Sequence, residues 1–380
     1  MLSTKLQNSF DFNGQIFHVG LDVHKKSWAV TVRSLERQVA HFTQPPSAEA
    51  LATTLKRNFP GGVYYSAYEA GFCGTTTHEM LCKLGINNIV VHPGDIPITD
   101  KQKKNKTDLH DSRSIAEHLE KKNLHGIYVH TREQQELRSL FRLRESRVKE
   151  VTRANNRLKG FLHYYSIEIP QELCKNERIS KRALEWLGNL EMTTETGTIA
   201  KNEYIDDLKY QRTKEYQITK LLRQQIQKHH IESFNRLITV PGIGSIIAMA
   251  FIAEIGDFSR FKNPDEYTSY LGLTPWNDSS GETIRTKGIQ PRCNKHLRPL
   301  IIEASWTAIR HEPALFAFYS KHATKNNKHA IVKVARKLVM IMRGVVISNK
   351  DYDAAYMSKN VIDKLEKAKL RQTKKQQQTL

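Results

Sequence analysis

The sequence predicts an α/β domain over residues 14–130 followed by an all-α region. Three observations carry that expectation. Short apolar runs alternate with amphipathic segments up to about residue 130. Beyond it glycine becomes scarce, and Leu and Ile recur among charges at helical spacing. From residue 236 strongly apolar helical segments return, separated by turn-rich stretches.

Each element follows from its local pattern. IFHVGLDVHKKSWAVTVR (16–33) reads as a strand, a tight turn and a second strand; Asp22 interrupts the first apolar run and alternation resumes at Trp28, Val30 and Val32. Residues 47–58 read as an amphipathic helix with Ser47 as N-cap. GGVYYSAYEA (61–70) reads as a strand ending in Glu69, TTTHEMLCKLGI as a helix with Gly85 past its end, and NNIVVHP as a short buried strand. A basic loop, KQKKNK (101–106), precedes a helix over about 107–122 that Thr107 could cap. Residues 131–235 hold two long helices, expected to pack antiparallel, with 166–200 as a connection between them. In the third domain, 236–350, LITVPGIGSIIAMAFIAEIGD is a turn and an apolar helix, LGLTPWNDSSGETIRTKGIQ is turn-rich, and KHLRPLIIEASWTAIRH and KHAIVKVARKLVMIMRGVV are core helices. Residues 351–380 read as a basic flexible tail.

Fifty-nine Lys and Arg face 39 Asp and Glu, a net charge of +20 that favours a polyanionic partner, most often nucleic acid. No apolar run approaches the roughly 20 residues of a membrane span, and the N-terminus lacks a signal pattern, so a soluble cytoplasmic protein without membrane partners is expected. Cys73, Cys82, Cys174 and Cys293 have no metal-ligand spacing and read as small buried apolar residues.

Four carboxylates stand out. Asp22 lies in a strand, where charge is costly unless it faces a site, and Glu69 ends another strand, where ligands of α/β sheets gather. Asp108 and Asp111, in NKTDLHDSRSIAEHL, share one helix face. Carboxylates gathered in this way suit hard divalent cations. Taken singly, the helical pair could simply offset the helix dipole, and Glu69 could be ordinary surface. Gly242 and Gly244 open an apolar helix and offer backbone N–H groups to a phosphate, or form a plain tight turn. Ser279 and Ser280 occupy a polar turn close to Arg285 and Lys287; a serine there is a nucleophile if its proton is removed, or only a turn residue. Lys103, Lys104 and Lys106, with basic segments over 285–298 and 321–337, are candidate phosphate contacts or solvated surface.

HVGLDVHKKSWAV, YEAGFCG and NKTDLHDSRSIAEHL, in that order, resemble the DEDD motif of the RuvC-like domain in IS110/IS1111-type insertion-sequence transposases. LITVPGIGSIIAMAFIAEIGDFSRFKNPDEYTSYLGLTPWNDSSG resembles that family's C-terminal transposase domain and its helix-hairpin-helix-like turn. The resemblance implies an RNase-H-like catalytic domain that binds Mg2+, two ions, through Asp22, Glu69, Asp108 and Asp111. It implies a serine that attacks DNA; the position before Gly281 is Ser280, with Ser279 as the second choice. It also implies long coiled-coil-like helices for dimerisation, a dimer or tetramer, DNA ends and target as substrates, and a guiding bridge RNA. One departure is KGIQPRCNKHLRPL, where relatives carry a basic SK-x-G element: Gln290 and Pro291 intrude, while Arg292, Lys295 and Arg298 keep the basic character.

The expected function is therefore an RNA-guided transposase, a site-specific recombinase using a metal site and a serine. The rivals are a metal-dependent junction nuclease without a serine link, an actin-like sugar kinase suggested by VGLDVHKKS, and a basic nucleic-acid-binding protein without catalysis.

Overall fold

The computed structural model describes residues 12–97, 108–175, 178–280, 283–324 and 326–355; of these, the side chains of 108–110, 174, 175, 178, 277–280 and 283–287 are outside the description. Thr107, the basic loop 101–106 and the tail beyond 355 lie outside the described residues. The chain divides after His130 into two compact units.

The first unit is a five-stranded mixed sheet in the order β3-β2-β1-β4-β5. β1 (Ile16–Val23), β2 (Trp28–Ser34) and β3 (Arg37–Gln44) form an antiparallel meander, whereas β4 (Val63–Glu69) and β5 (Asn87–Val91) run parallel to β1. α1 (Ala48–Asn58) and α2 (Thr76–Lys83) make the crossovers. Ser47 caps α1, accepting a hydrogen bond from the Ala50 amide at 3.1 Å. The strand period of two sorts β1 by face. Phe17, Val19 and Leu21 enter the core with Leu51, Leu55 and Leu81, while His18, Gly20 and Asp22 face the other way. That second face is covered by α3 (Asp108–Glu120), through Ile115 against Ala67 and Val91.

β3 is an addition to the sequence expectation. It is an edge strand that buries little beyond Gln44, so its side chains carry no strong apolar alternation.

The second unit begins with α4 (Arg132–Tyr164), which packs against α6 (Glu195–His229). Arg144 meets Glu215 at 3.2 Å and Arg157 meets Asp207 at 2.6 Å, so one helix runs down as the other runs up. The 166–200 stretch contains α5 (Lys181–Asn189), whose Ala183, Leu184 and Leu187 close a core with Leu158, Leu162 and Leu208. The Thr- and Gly-rich segment there is already helical from Glu195, because Thr194 caps α6 by accepting from the Gly197 amide at 3.1 Å.

The larger core joins Phe141, Leu222 and Ile226 of these helices to α7 (Ile231–Ile238), α8 (Ser245–Ile255), α9 (Pro264–Tyr270), α10 (Leu297–His311), α11 (Pro313–Ala323) and α12 (Asn327–Ser348). The stretch expected to be turn-rich is an antiparallel hairpin, β6 (Pro275–Ser280) with β7 (Thr283–Ile289). Ser, Asn and Asp are poor strand formers, so the ladder to Ile284, Thr286 and Ile289 decides the conformation. The cysteines also differ from expectation: Cys82 is exposed, Cys73 and Cys293 are half-buried, and the Cys174 side chain lies outside the description. No helix among the described residues is long and apolar enough to cross a membrane.

Candidate active site

The acidic end of the first unit follows from strand register. Leu21 pairs with Tyr68 across the parallel β1–β4 ladder. Asp22 and Glu69 are the next residues along, so they stand side by side at the carboxyl ends of neighbouring strands. Both share the face of Gly20 and Ala67, the face that α3 covers. Glu69 is exposed, and the Asp22 side chain is 18% exposed. His24 Nε2 lies 3.0 Å from Asp22 Oδ2.

α3 runs opposite to β1. Near its end, Glu120 accepts from Arg33 Nε at 2.7 Å, and Arg33 pairs with His18 near the start of β1. In its first turns, the Ser112 hydroxyl meets Thr31 Oγ1 at 2.9 Å, and Thr31 pairs with Gly20. The helix therefore starts over the strand end that carries Asp22. Asp108 lies one turn before Ser112, on the side that meets the sheet, and Asp111 is half-buried beside Ser112. Backbone geometry thus brings Asp22, Glu69, Asp108 and Asp111 to one end of one sheet. Among the described residues no three His, Cys, Asp or Glu side chains form a metal-binding group, and the Asp108 side chain is not among them. The donor set is all carboxylate oxygen, which fits a hard divalent cation.

In the second unit Ser279 and Ser280 pair with Ile284 and Thr283 at the tip of the β6–β7 hairpin, and Arg285 is opposite Asp278. The side chains of Ser279, Ser280, Arg285 and Lys287 lie outside the described residues. The base of the hairpin is braced. Gln290 Oε1 accepts from Ser269 Oγ and Thr274 Oγ1, each at 3.2 Å, and its carbonyl accepts from Arg298 Nη1 at 2.7 Å. Arg298 is thereby engaged within the fold, whereas Arg292 and Lys295 are exposed.

The α7–α8 turn holds Gly242 at φ +81°, with α10 so close that an added Cβ would meet the Ala304 carbonyl at 2.5 Å. Gly244 caps α8 with open space around it, and Arg223 Nη2 donates to the neighbouring Ser245 Oγ at 3.2 Å. A cation therefore stands at a helix N-terminus, an arrangement that suits an anion.

One buried group lies outside the sequence expectations. Glu254, in the most apolar helix, is fully buried. It receives Arg142 Nε at 2.7 Å, Arg138 Nε at 2.9 Å and Asn294 Nδ2 at 3.0 Å. Burial alone would raise its pKa; Arg142, Arg138 and Asn294 outweigh that and hold it below the usual carboxylate range. The cluster ties α4 and α8 to the segment after the hairpin. An acid inside an apolar run was the available signal.

A family model described as the transposase IS116/IS110/IS902 family matches residues 234–320, and a DEDD-type IS110 transposase model matches residues 19–167. Among curated relatives, the transposase for insertion sequence element IS1328 of Yersinia enterocolitica is 27% identical over 212 residues, 53% of this chain and 59% of that one. The transposase for IS1111A of Coxiella burnetii is 25% identical over 253 residues, 63% of this chain and 65% of that one. The pilin gene-inverting protein of Moraxella bovis is 30% identical over 143 residues, 37% of this chain and 44% of that one. The chain thus spans less than two thirds of the length of these three relatives. An α/β unit with an acidic strand end, matched by transposase models in both units, defines a transposase, the class of enzyme that cuts and rejoins DNA. The chain belongs to the IS110-type family of insertion-sequence transposases.

Proposed function

We propose that the chain is a site-specific DNA recombinase in which Asp22, Glu69, Asp108 and Asp111 hold Mg2+ and Ser280 is the nucleophile. The observation that carries the reading is the β1–β4 register, with Asp22 and Glu69 one step past the Leu21–Tyr68 pair and α3 starting over the same end. When bound, divalent ions at such carboxylates stabilise charge on the attacking and leaving oxygens of a phosphodiester. The sheet fixes the backbones of Asp22 and Glu69, and the seat of α3 on Gly20 fixes those of Asp108 and Asp111, which supports a site assembled before DNA arrives.

Ser280 Oγ attacks phosphorus. The Oγ–P bond forms, the P–O bond to the leaving strand breaks, and the serine proton ends on the displaced hydroxyl. Attack by a strand hydroxyl reverses the sequence and frees the serine, so rejoining needs no ATP. Ser279 is the alternative nucleophile. Lys103, Lys104, Lys106, Gly242, Gly244, Arg285, Lys287, Arg292 and Lys295 make up the proposed nucleic-acid contacts; Arg298, also expected among them, instead braces the hairpin base through the Gln290 carbonyl. By family resemblance the partners are element ends, target DNA, a bridge RNA and further copies of the chain in a dimer or tetramer, acting in the cytoplasm. The relative named for pilin gene inversion supports the recombinase reading, since inversion requires both cutting and rejoining.

The test is a reaction of the full chain with element-end DNA, RNA and Mg2+, stopped in denaturant. A protein–DNA adduct mapping to Ser280, absent in Ser280→Ala, is expected. If a variant with both Ser279→Ala and Ser280→Ala cleaves at the wild-type rate, water is the attacker and the junction-nuclease reading takes over.

A further inference from the structure

We infer that Phe72 is a stacking platform for an unpaired DNA base beside the acidic end of the sheet. The inference rests on reading that end as the DNA-cleaving site. Residues 70–75 connect β4 to α2 and begin directly after Glu69. Within them Phe72 is 70% exposed, while its neighbours Ala70 and Cys73 pack against the core.

The loop is tied down on every side of that ring. The Ala70 amide donates to the Val91 carbonyl at 2.8 Å, and the Gly74 amide donates to the Gly71 carbonyl at 3.2 Å. The buried Tyr68 donates its hydroxyl to the Gly74 carbonyl at 3.0 Å and accepts the His78 amide at 3.2 Å. Phe72 is therefore held out in water by a braced turn. Leaving a large apolar ring in solvent costs the fold the burial energy that other phenylalanines contribute; a partner on this face would recover it.

Charge identifies the partner. The β1–β2 turn, which begins two residues after Asp22, carries exposed Lys25 and Lys26. β1 and β4 are neighbours, so the acidic end has two cations on one flank and an aromatic face on the other. A DNA strand laid across it meets lysines with its phosphates and Phe72 with a base, the pairing by which single strands are gripped. A base inside an intact duplex has no free face for the ring, so the site selects a locally unpaired strand.

The test uses the full chain in EDTA, which prevents cleavage, with a 2-aminopurine oligonucleotide as a single strand and as a blunt duplex. Wild type is expected to quench the single-strand fluorescence. Phe72→Ala loses the quench and binds the single strand about tenfold more weakly, with duplex binding within about twofold of wild type and an unchanged melting temperature. Phe72→Trp restores both. Three results overturn the proposal: no quench by wild type, an undiminished quench by Phe72→Ala, or equal weakening of both DNA forms. The catalytic reading fails separately, if Asp22→Asn still cleaves in Mg2+; its quench in EDTA is expected to match wild type.

Discussion

Gly20 of β1 lies directly against the backbone of Ser112 in α3: a Cβ at residue 20 would stand 2.0 Å from the Ser112 carbonyl oxygen and 2.4 Å from the Ala116 amide. The absence of a side chain at one residue sets the height of α3 over the sheet. It therefore sets where Asp108 and Asp111 stand relative to Asp22.

Gly20→Ala must push α3 outward. Overpacking of this kind costs about 1–3 kcal/mol or more. DNA cleavage should fall further than DNA binding, because the acids lose their common focus while the basic surface remains. Urea midpoints and cleavage rates measured together check this; a wild-type midpoint and rate would refute the role given to Gly20.

Gly242 and Gly244 should respond oppositely to alanine. At Gly242 an added Cβ meets Ala304 and Ala308 of α10 within 3 Å, and φ is left-handed, so Gly242→Ala should cost about 1–3 kcal/mol. At Gly244 nothing lies within 4 Å, so Gly244→Ala should melt close to wild type. Thermal melts of the two variants decide it.

Glu254→Gln leaves the partly exposed Arg138 and Arg142 facing a neutral group, which should cost about 1–3 kcal/mol near neutral pH. The carboxyl is held below its ordinary value of 4.5 in the fold. Its contribution is complete above that value and is lost as pH falls through the lowered one. The gap in urea midpoint between wild type and Glu254→Gln should therefore close as pH drops below about 4.5. A gap that widens in acid would contradict the assignment.

Lys25 and Lys26 are exposed, and replacing both with alanine should leave stability unchanged. If both contact phosphates, the slope of log affinity for DNA against log salt should fall by about 2. An unchanged slope would remove them from the interface.

Much of the first unit was legible because its elements have strong periods. β1, β2, β4, β5 and α1 with its Ser47 cap were readable from alternation and capping, and Asp22 and Glu69 stood out as charges closing apolar runs. β3 was not, since an edge strand that buries little has no apolar rhythm. The β6–β7 hairpin has the local pattern of turns because its Asn, Asp and Ser favour turns, and only the facing strand makes them a ladder. Glu254 passed unnoticed because its partners lie 40 residues or more away in sequence.

The sequence by itself determined the order of elements, the excess positive charge and where the four candidate acids fall along the elements, since these depend on neighbours a few residues apart. The arrival of their backbones at one end of the sheet was decided by tertiary structure: the β1–β4 register joins residues 47 apart, and the contact of α3 with Gly20 joins residues 92 apart. Nothing local encodes either distance. Packing of two backbones and pairing of two strands set them, and those forces act only once the chain has folded.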